Sequence, residues 1–214
     1  RPVGDGRCGD RDVARGVRTS VTSDRAPGDA CVTVWLRPEG EAPGEASAEQ
    51  MKVVADLAER VSPDEIRVSH EQNLVLPHVR LSDLAAVWET LEAHGLGTPN
   101  AGLVTDIIAC PGLDYCNLAN ARSIPVAQRL TQRFSDLQRQ HDIGELKIKI
   151  SGCINACGHH HVGHIGILGV DKHGEEFYQN TLGGRADENP TVGKTTGPAF
   201  SSDDRVDAYD NLFL

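Results

Sequence analysis

Leu146-Lys-Ile-Lys-Ile-Ser-Gly-Cys-Ile-Asn-Ala-Cys157 joins an alternating apolar run to two cysteines with three residues between them. Leu146, Ile148 and Ile150 alternate with Lys147 and Lys149, which predicts a half-exposed β-strand, because successive side chains on a strand point to opposite faces. That strand delivers Ser151-Gly152-Cys153. A second stretch follows the same plan: Thr105-Asp-Ile-Ile-Ala-Cys110 predicts a strand running into Cys110-Pro-Gly-Leu-Asp-Tyr-Cys116. Four thiols in two short clusters suit a thiophilic centre, either an iron–sulfur cluster or zinc. The Cys153/Cys157 spacing falls in the zinc-knuckle range and the Cys110/Cys116 spacing does not. His159, His160, His161 and His164 offer nitrogen ligands, so spacing alone leaves zinc open beside iron–sulfur. Each pair is expected where a strand ends and a helix begins, a junction that presents backbone N–H groups and the positive end of a helix dipole to an anionic group. Gly112, Gly152, Ala156 and Gly158 keep the nearby backbone accessible to something bulky.

Outward from these motifs the chain divides. Residues 1–30 are rich in Gly, Asp and Arg and read as an arm or linker. Residues 31–96 predict a small α/β unit. Cys31-Val-Thr-Val-Trp-Leu36 is β-rich, and Ser47 with Gln50 forms a capping-box signature. Met51, Val54, Leu57, Ala58 and Val61 recur at helical spacing until Pro63. Ile66-Arg-Val68 and Leu74-Val-Leu76 predict short strands. Ser82 is placed to cap a second helix bearing Leu84, Val87, Trp88 and Leu91, with Gly95 as its stop. The order β-α-β-β-α is most of a ferredoxin-like unit. After the linker Gly97-Thr-Pro-Asn-Ala-Gly102, a second domain covers 103–205. Residues 117–140 are expected to be helical, with Pro125 disturbing the early turns. Ile165–Val170 and Glu176–Gln179 predict strands around an Asp171-Lys-His-Gly174 turn. Residues 185–205 read as polar and irregular, and the last ten as the start of a helix.

Composition narrows the classes. The 214 residues have a net charge of -10, aromatics at 4% and one Met, so the core must be built from Val, Leu, Ile and Ala. The acidic balance argues against nucleic-acid or membrane-surface binding, although a local basic pocket for a small anion is compatible with it. No apolar run approaches a membrane span, and the first residues lack a secretory h-region. A chain opening at Arg1 is expected to be a fragment or a processed product. Six cysteines could form three disulfides, but clustered spacing without a secretion signal points to a reducing cytoplasm, with Cys8 and Cys31 as free thiols.

The cysteine pattern, Cys-x5-Cys followed by Ser-Gly-Cys-x3-Cys, resembles the signature of sulfite and nitrite reductases that couple sirohaem to a [4Fe–4S] cluster. Ile66-Arg-Val-Ser-His-Glu-Gln-Asn-Leu74 resembles that family's strand motif before its cofactor domain. Cys116-Asn-Leu-Ala-Asn-Ala-Arg-Ser-Ile-Pro125, Ser151-Gly-Cys-Ile-Asn-Ala-Cys-Gly-His-His-His161, Gly163-His-Ile-Gly-Ile-Leu-Gly169 and Leu182-Gly-Gly184 extend the likeness over about residues 31–200. The implied fold is α+β: a ferredoxin-like (parachute-type) half-unit followed by a mixed α/β sirohaem-[4Fe–4S] domain.

The resemblance implies roles residue by residue. Cys110, Cys116, Cys153 and Cys157 would hold the irons, with Cys157 also bridging to the sirohaem iron. Asn155 would lie against the macrocycle, Gln72, Asn73 and Arg122 near it, and Gly183 and Gly184 would allow close backbone approach. Lys149 would pair with a macrocycle carboxylate, and Lys149 and Arg67 would serve the substrate anion. Each has a plain alternative: a solvated strand face for Lys149, a surface position for Arg67 and Arg122, a turn for Gln72 and Asn73. The histidine run need not touch iron. Expected partners are sulfite or nitrite as the small oxyanion, and ferredoxin or a flavoprotein as electron donor. Family enzymes carry two copies of this unit and the chain carries one, the cysteine-bearing second copy. A missing N-terminal half or a homo-oligomer should therefore cover an apolar face. The alternatives are a non-catalytic half-module and a zinc-binding structural domain, each acting through a partner chain.

Overall fold

A computed structural model of the chain describes residues 11–37 and 40–201. The described residues fall into two units, one formed by those up to 37 and 44–101, the other by 40–43 and 102–201. Cys8 and the last ten residues lie outside the described residues.

The first unit is a four-stranded antiparallel sheet, β1 (Val21–Ser23), β2 (Asp29–Val34), β3 (Arg67–Val68) and β4 (Leu74–Arg80), in the order β1-β2-β4-β3. Helices α1 (Arg11–Ser20), α2 (Ala48–Val61) and α3 (Leu84–Ala93) complete it. Alternation on β2 buries Ala30, Val32 and Val34 on one face, where they meet Val54 and Leu57 of α2 and Val87 and Leu91 of α3. Each fully buried Val or Leu contributes roughly 1.5–3 kcal/mol. The capping box is present: Ser47 Oγ accepts from Gln50 N and the Gln50 side chain accepts from Ser47 N. Ser82 does not cap α3; Asp83 occupies that position without a side-chain cap bond.

The expected arm is partly structure. Residues 11–20 form α1 and 21–23 pair with β2. Gly16 allows this, because a Cβ there would overlap the Trp88 indole on α3. The β1–β2 connection is tied down by Asp24. Its Oδ1 accepts from Ala26 N at 3.0 Å, and its Oδ2 meets His78 Nδ1 at 3.0 Å, His78 N at 3.3 Å and Cys31 Sγ at 3.3 Å. His78 sits at φ +57° in a β4 bulge, where Pro77 and His78 of β4 stand opposite Cys31 alone of β2.

The second unit is a mixed sheet of five strands in sequential order: β5 (Ile108–Ala109), β6 (Ile148–Ser151), β7 (Ile165–Lys172), β8 (Glu175–Leu182) and β9 (Lys194–Ser201). β5, β6 and β7 are parallel; β7, β8 and β9 are antiparallel. Helices α4 (Ile124–Arg133) and α5 (Leu137–Ile143) replace the longer helix expected over 117–140. Pro125 stands in the first turn of α4, the one place where a missing N–H is harmless, so the helix starts there. β6 is not half-exposed. All four of its residues are buried, because parallel neighbours on both edges put it mid-sheet with both faces covered. β9 also replaces part of the expected irregular segment.

Asp24 accepts more hydrogen bonds as a carboxylate than as an acid. The Ala26 N–H first, with Cys31 and His78, holds its pKa down to about 2. A group depressed in the folded state stabilises above its ordinary value near 3.8 and loses that contribution as pH falls through about 2. Asp24→Asn should therefore lower the urea midpoint at pH 7, with the gap to the parent chain closing below about pH 3; circular dichroism melts across that range check it.

Candidate functional site

Both cysteine motifs stand at the carboxyl ends of adjacent parallel strands, the usual place for a ligand in a parallel α/β sheet. Cys110 directly follows β5, and its N–H donates to Ile150 O at 3.1 Å, extending the β5–β6 ladder by one bond. A single 3-10 turn over Gly112–Asp114 then folds the chain back, and Cys116 N donates to Gly112 O at 2.8 Å. After β6, Ala156 N donates to Cys153 O at 3.2 Å and His159 N to Ala156 O at 2.7 Å. Ala156 and His159 both take φ +55°, a left-handed conformation that side-chain-bearing residues hold only under constraint. Gly158 N donates to Ser151 Oγ at 3.1 Å, and a Cβ on Gly158 would overlap Ile150 O.

The two motifs are clasped to each other through Gly152. Its N–H donates to Cys110 Sγ at 3.1 Å. Its carbonyl accepts from Asn120 N at 2.8 Å and Ala121 N at 3.0 Å. A Cβ on Gly152 would lie 2.6 Å from Ala121 O and 3.0 Å from Gly112 Cα. Ser123 Oγ donates to Cys110 O at 2.5 Å and lies 3.5 Å from Cys110 Sγ. The segment that follows Cys116 is tied to β8. Arg122 N and Nε donate to the two Glu176 carboxylate oxygens at 2.7 and 2.8 Å, and Tyr178 Oη donates to Arg122 O at 2.7 Å.

All four thiols are outside disulfides. Cys153 is buried, Cys110 and Cys116 are partly covered and Cys157 is exposed. Among the described residues, no three His, Cys, Asp or Glu side chains converge closely enough to hold one metal ion. A zinc ion needs its ligands about 2.3 Å from a single point. A polynuclear iron–sulfur core spreads its thiolate ligands over separate irons, and an all-sulfur donor set with an N–H···S bond fits that chemistry. Large apolar side chains stand exposed on the same two loops: Tyr115 at 80%, Leu118 at 72% and Ile154 at 77%. Asn155 is exposed beside Ile154.

Several expected site residues have other work in this structure. Arg122 is engaged by Glu176, which raises the guanidinium pKa and lowers that of the carboxyl, so its charge is used inside the unit. Asn73 is completely buried; its Oδ1 accepts from Leu36 N at 3.3 Å and from the buried Arg37 Nη1 at 2.6 Å. Arg37 Nη2 also donates to Glu71 O. Asn73 thus pins the β3–β4 turn, in which Gln72 adopts φ +59°. Arg67 is on the edge strand β3, with Nε 2.5 Å from Glu65 Oε1. Lys149 is 2% exposed, which excludes a solvated face. Gly184 makes its close approach to protein backbone, since a Cβ would overlap Gly163 O; Gly183 takes φ +81° with open space before it. His160 is buried with Nδ1 lacking a hydrogen-bond partner. Burial first, then His161 with its ring 3.9 Å away, hold the His160 pKa down to about 4. His164 Nδ1 accepts from Lys147 N at 3.2 Å.

From the sequence, Ser123, Glu176, Tyr178 and Arg37 have no assigned site role, although Ser123 falls within the Cys116–Pro125 motif. Each acts on a partner at least thirteen positions away, so no local pattern marks it.

Comparison with known proteins places this geometry. Residues 25–94 match the model of the nitrite/sulfite reductase ferredoxin-like half domain, and residues 101–212 that of the nitrite and sulphite reductase 4Fe-4S domain. Sulfite reductase [ferredoxin] 2 of Mycolicibacterium paratuberculosis is 34% identical over 171 residues, covering 74% of this chain and 30% of the relative. Ferredoxin–nitrite reductase of Synechococcus elongatus is 28% identical over 179 residues, covering 80% and 34%. The structure of the Mycobacterium tuberculosis NirA protein superposes with a TM-score of 0.70 at 26% identity, covering 90% of this chain and 36% of that one. A dissimilatory sulfite reductase structure, at 13% identity and a TM-score of 0.66, shares the fold. The chain spans about a third of the length of the curated relatives it matches.

The cysteine turn after β6 rests on a glycine with no room beside it. Gly158→Ala should destabilise the second unit by about 1–3 kcal/mol through forced overpacking, whereas Gly174→Ala, with open space around it, should lose only about 1 kcal/mol from its positive φ. Urea unfolding of the two variants checks the order.

Proposed function

The chain belongs to the nitrite/sulfite reductase family, and on that premise we propose that it is the cluster-bearing, C-terminal half of a sirohaem-[4Fe–4S] reductase acting on sulfite or nitrite. The observation that carries this reading is the clasp at Gly152, which brings two cysteine turns together at the ends of β5 and β6. Cys110, Cys116, Cys153 and Cys157 are the residues that would hold the cluster, with Cys157, the exposed one, as the ligand shared with the sirohaem. Such a cluster with its tetrapyrrole supplies one-electron storage beside an iron at which a small oxyanion is reduced in steps.

The chain's own residues prepare that chemistry. The Gly152 N–H stabilises negative charge on Cys110. Burial of Cys153 keeps water from one corner of the site. Asn155, exposed on the Cys153–Cys157 turn, would offer its amide to the macrocycle. Lys149, buried on β6 two residues before Ser151, is the residue that would pair with a carboxylate of the macrocycle. Arg67, about half exposed, is the basic residue of the first unit proposed to attract the anion. The exposed Tyr115, Leu118 and Ile154 call for a cover, which the macrocycle and a partner half or second copy would provide.

Relatives named for ferredoxin-linked sulfite reduction, ferredoxin-linked nitrite reduction and NADPH-linked sulfite reduction all match, so ferredoxin or a flavoprotein is the proposed donor. A second reading follows from the chain's covering a third of those relatives: it holds a cluster but turns over only with a partner chain.

Anaerobic reconstitution with iron and sulfide should give a brown protein with iron and acid-labile sulfide in equal amounts, and each Cys→Ser change at the four positions should abolish or strongly weaken uptake. Zinc without labile sulfide would overturn the assignment. Sirohaem loading followed by viologen oxidation on adding sulfite or nitrite separates the catalytic reading from the half-module, which would bind the cluster without substrate-dependent oxidation.

A further inference from the structure

Serine at a helix start normally turns its hydroxyl back to accept from the first free N–H groups. Ser123 is the N-cap of α4 and makes no such bond. Its fully buried hydroxyl faces Cys110 instead, donating to the carbonyl oxygen at 2.5 Å with the sulfur of the same residue 3.5 Å away. A hydroxyl has one proton to give, and here two acceptors on one residue compete for it. Gly112 maintains the arrangement, since a Cβ there would overlap Ser123 Oγ. Cys110 Sγ also receives the Gly152 N–H at 3.1 Å. Among the described residues, Cys110 is the one of the four proposed ligands whose sulfur has hydrogen-bond partners.

We propose that Ser123 is a positioning residue for electron storage: its proton turns from the Cys110 carbonyl oxygen toward the Cys110 sulfur as negative charge builds there, and with the Gly152 amide it raises the reduction potential of the cluster. This rests on the cluster reading above. A carbonyl is a neutral acceptor, and an iron-bound thiolate gains charge on reduction, so the balance between the two acceptors shifts toward sulfur in the reduced state. Hydrogen bonds to cluster sulfurs are among the determinants of potential. Burial leaves no bulk water to replace the hydroxyl. The Cys110 corner is thereby tuned differently from the exposed Cys157 corner.

The test uses the full chain reconstituted anaerobically, with Ser123→Ala and Ser123→Thr beside the parent. Redox titration followed by electron paramagnetic resonance should show the reduced-to-oxidised ratio at a fixed potential falling about tenfold in Ser123→Ala, about 59 mV for one electron, with Ser123→Thr close to the parent. Exchange into D2O should remove a proton coupling on the reduced cluster that is present in the parent and Ser123→Thr and missing in Ser123→Ala. Three loaded proteins with one midpoint would overturn the tuning role and leave the cluster assignment standing. A Ser123→Ala chain that cannot load while Ser123→Thr can makes the hydroxyl a structural strut and also overturns it. A parent chain that takes up no iron overturns the cluster reading first, and this inference with it.

Discussion

The backbone of Gly152 bonds on both sides of its Cα, and the sulfur-rich side of the second unit depends on it. The N–H reaches Cys110 Sγ while the carbonyl takes two N–H groups from Asn120 and Ala121. One residue, through the two peptide groups that flank it, therefore fixes the end of β6 against both arms of the first cysteine loop. The fit is tight enough that a methyl group at Gly152 would strike Ala121 O and Gly112 Cα, and one at Gly169 on β7 would lie 2.6 Å from the Ala121 side chain. Glycine is required at these places for lack of space, and Ala121, fully buried, sits at their centre.

Why the site forms at this end of the sheet follows from strand direction. Parallel β5 and β6 release their chains at the same edge, so two motifs some forty positions apart emerge side by side. Antiparallel neighbours would have delivered them to opposite edges. The antiparallel β8 contributes in another way: Glu176 and Tyr178 hold Arg122, and through it the loop after Cys116. A carboxylate receiving both a backbone N–H and a guanidinium is a strong anchor for a loop with no regular structure of its own.

Much of this was legible from local pattern. The alternation on β2, the helical spacing on α2 and α3, and the Ser47–Gln50 box each arise from contacts within a few residues, so composition and period reveal them. The errors share one cause. Gly, Asp and Arg in residues 11–23 read as an arm because nothing local reports that Gly16 packs under Trp88 or that Asp24 binds the β4 bulge. Lys149 read as half-exposed because alternation shows two faces but not what covers them. The protein partners of Asn73 and Arg122, which are Arg37 and Glu176, lie 36 and 54 positions away, so no local pattern announced those bonds.

Residue order by itself determined the two-part organisation, the strand-to-cysteine junctions and the two cysteine clusters, because these are properties of short segments and of side-chain chemistry. Tertiary structure alone decided that β6 is central, that Gly152 links the two cysteine loops, and that Ser123 turns from its helix to Cys110. Those outcomes depend on which strands become neighbours and how much room lies between them. That is a matter of long-range packing, which no window of the chain encodes.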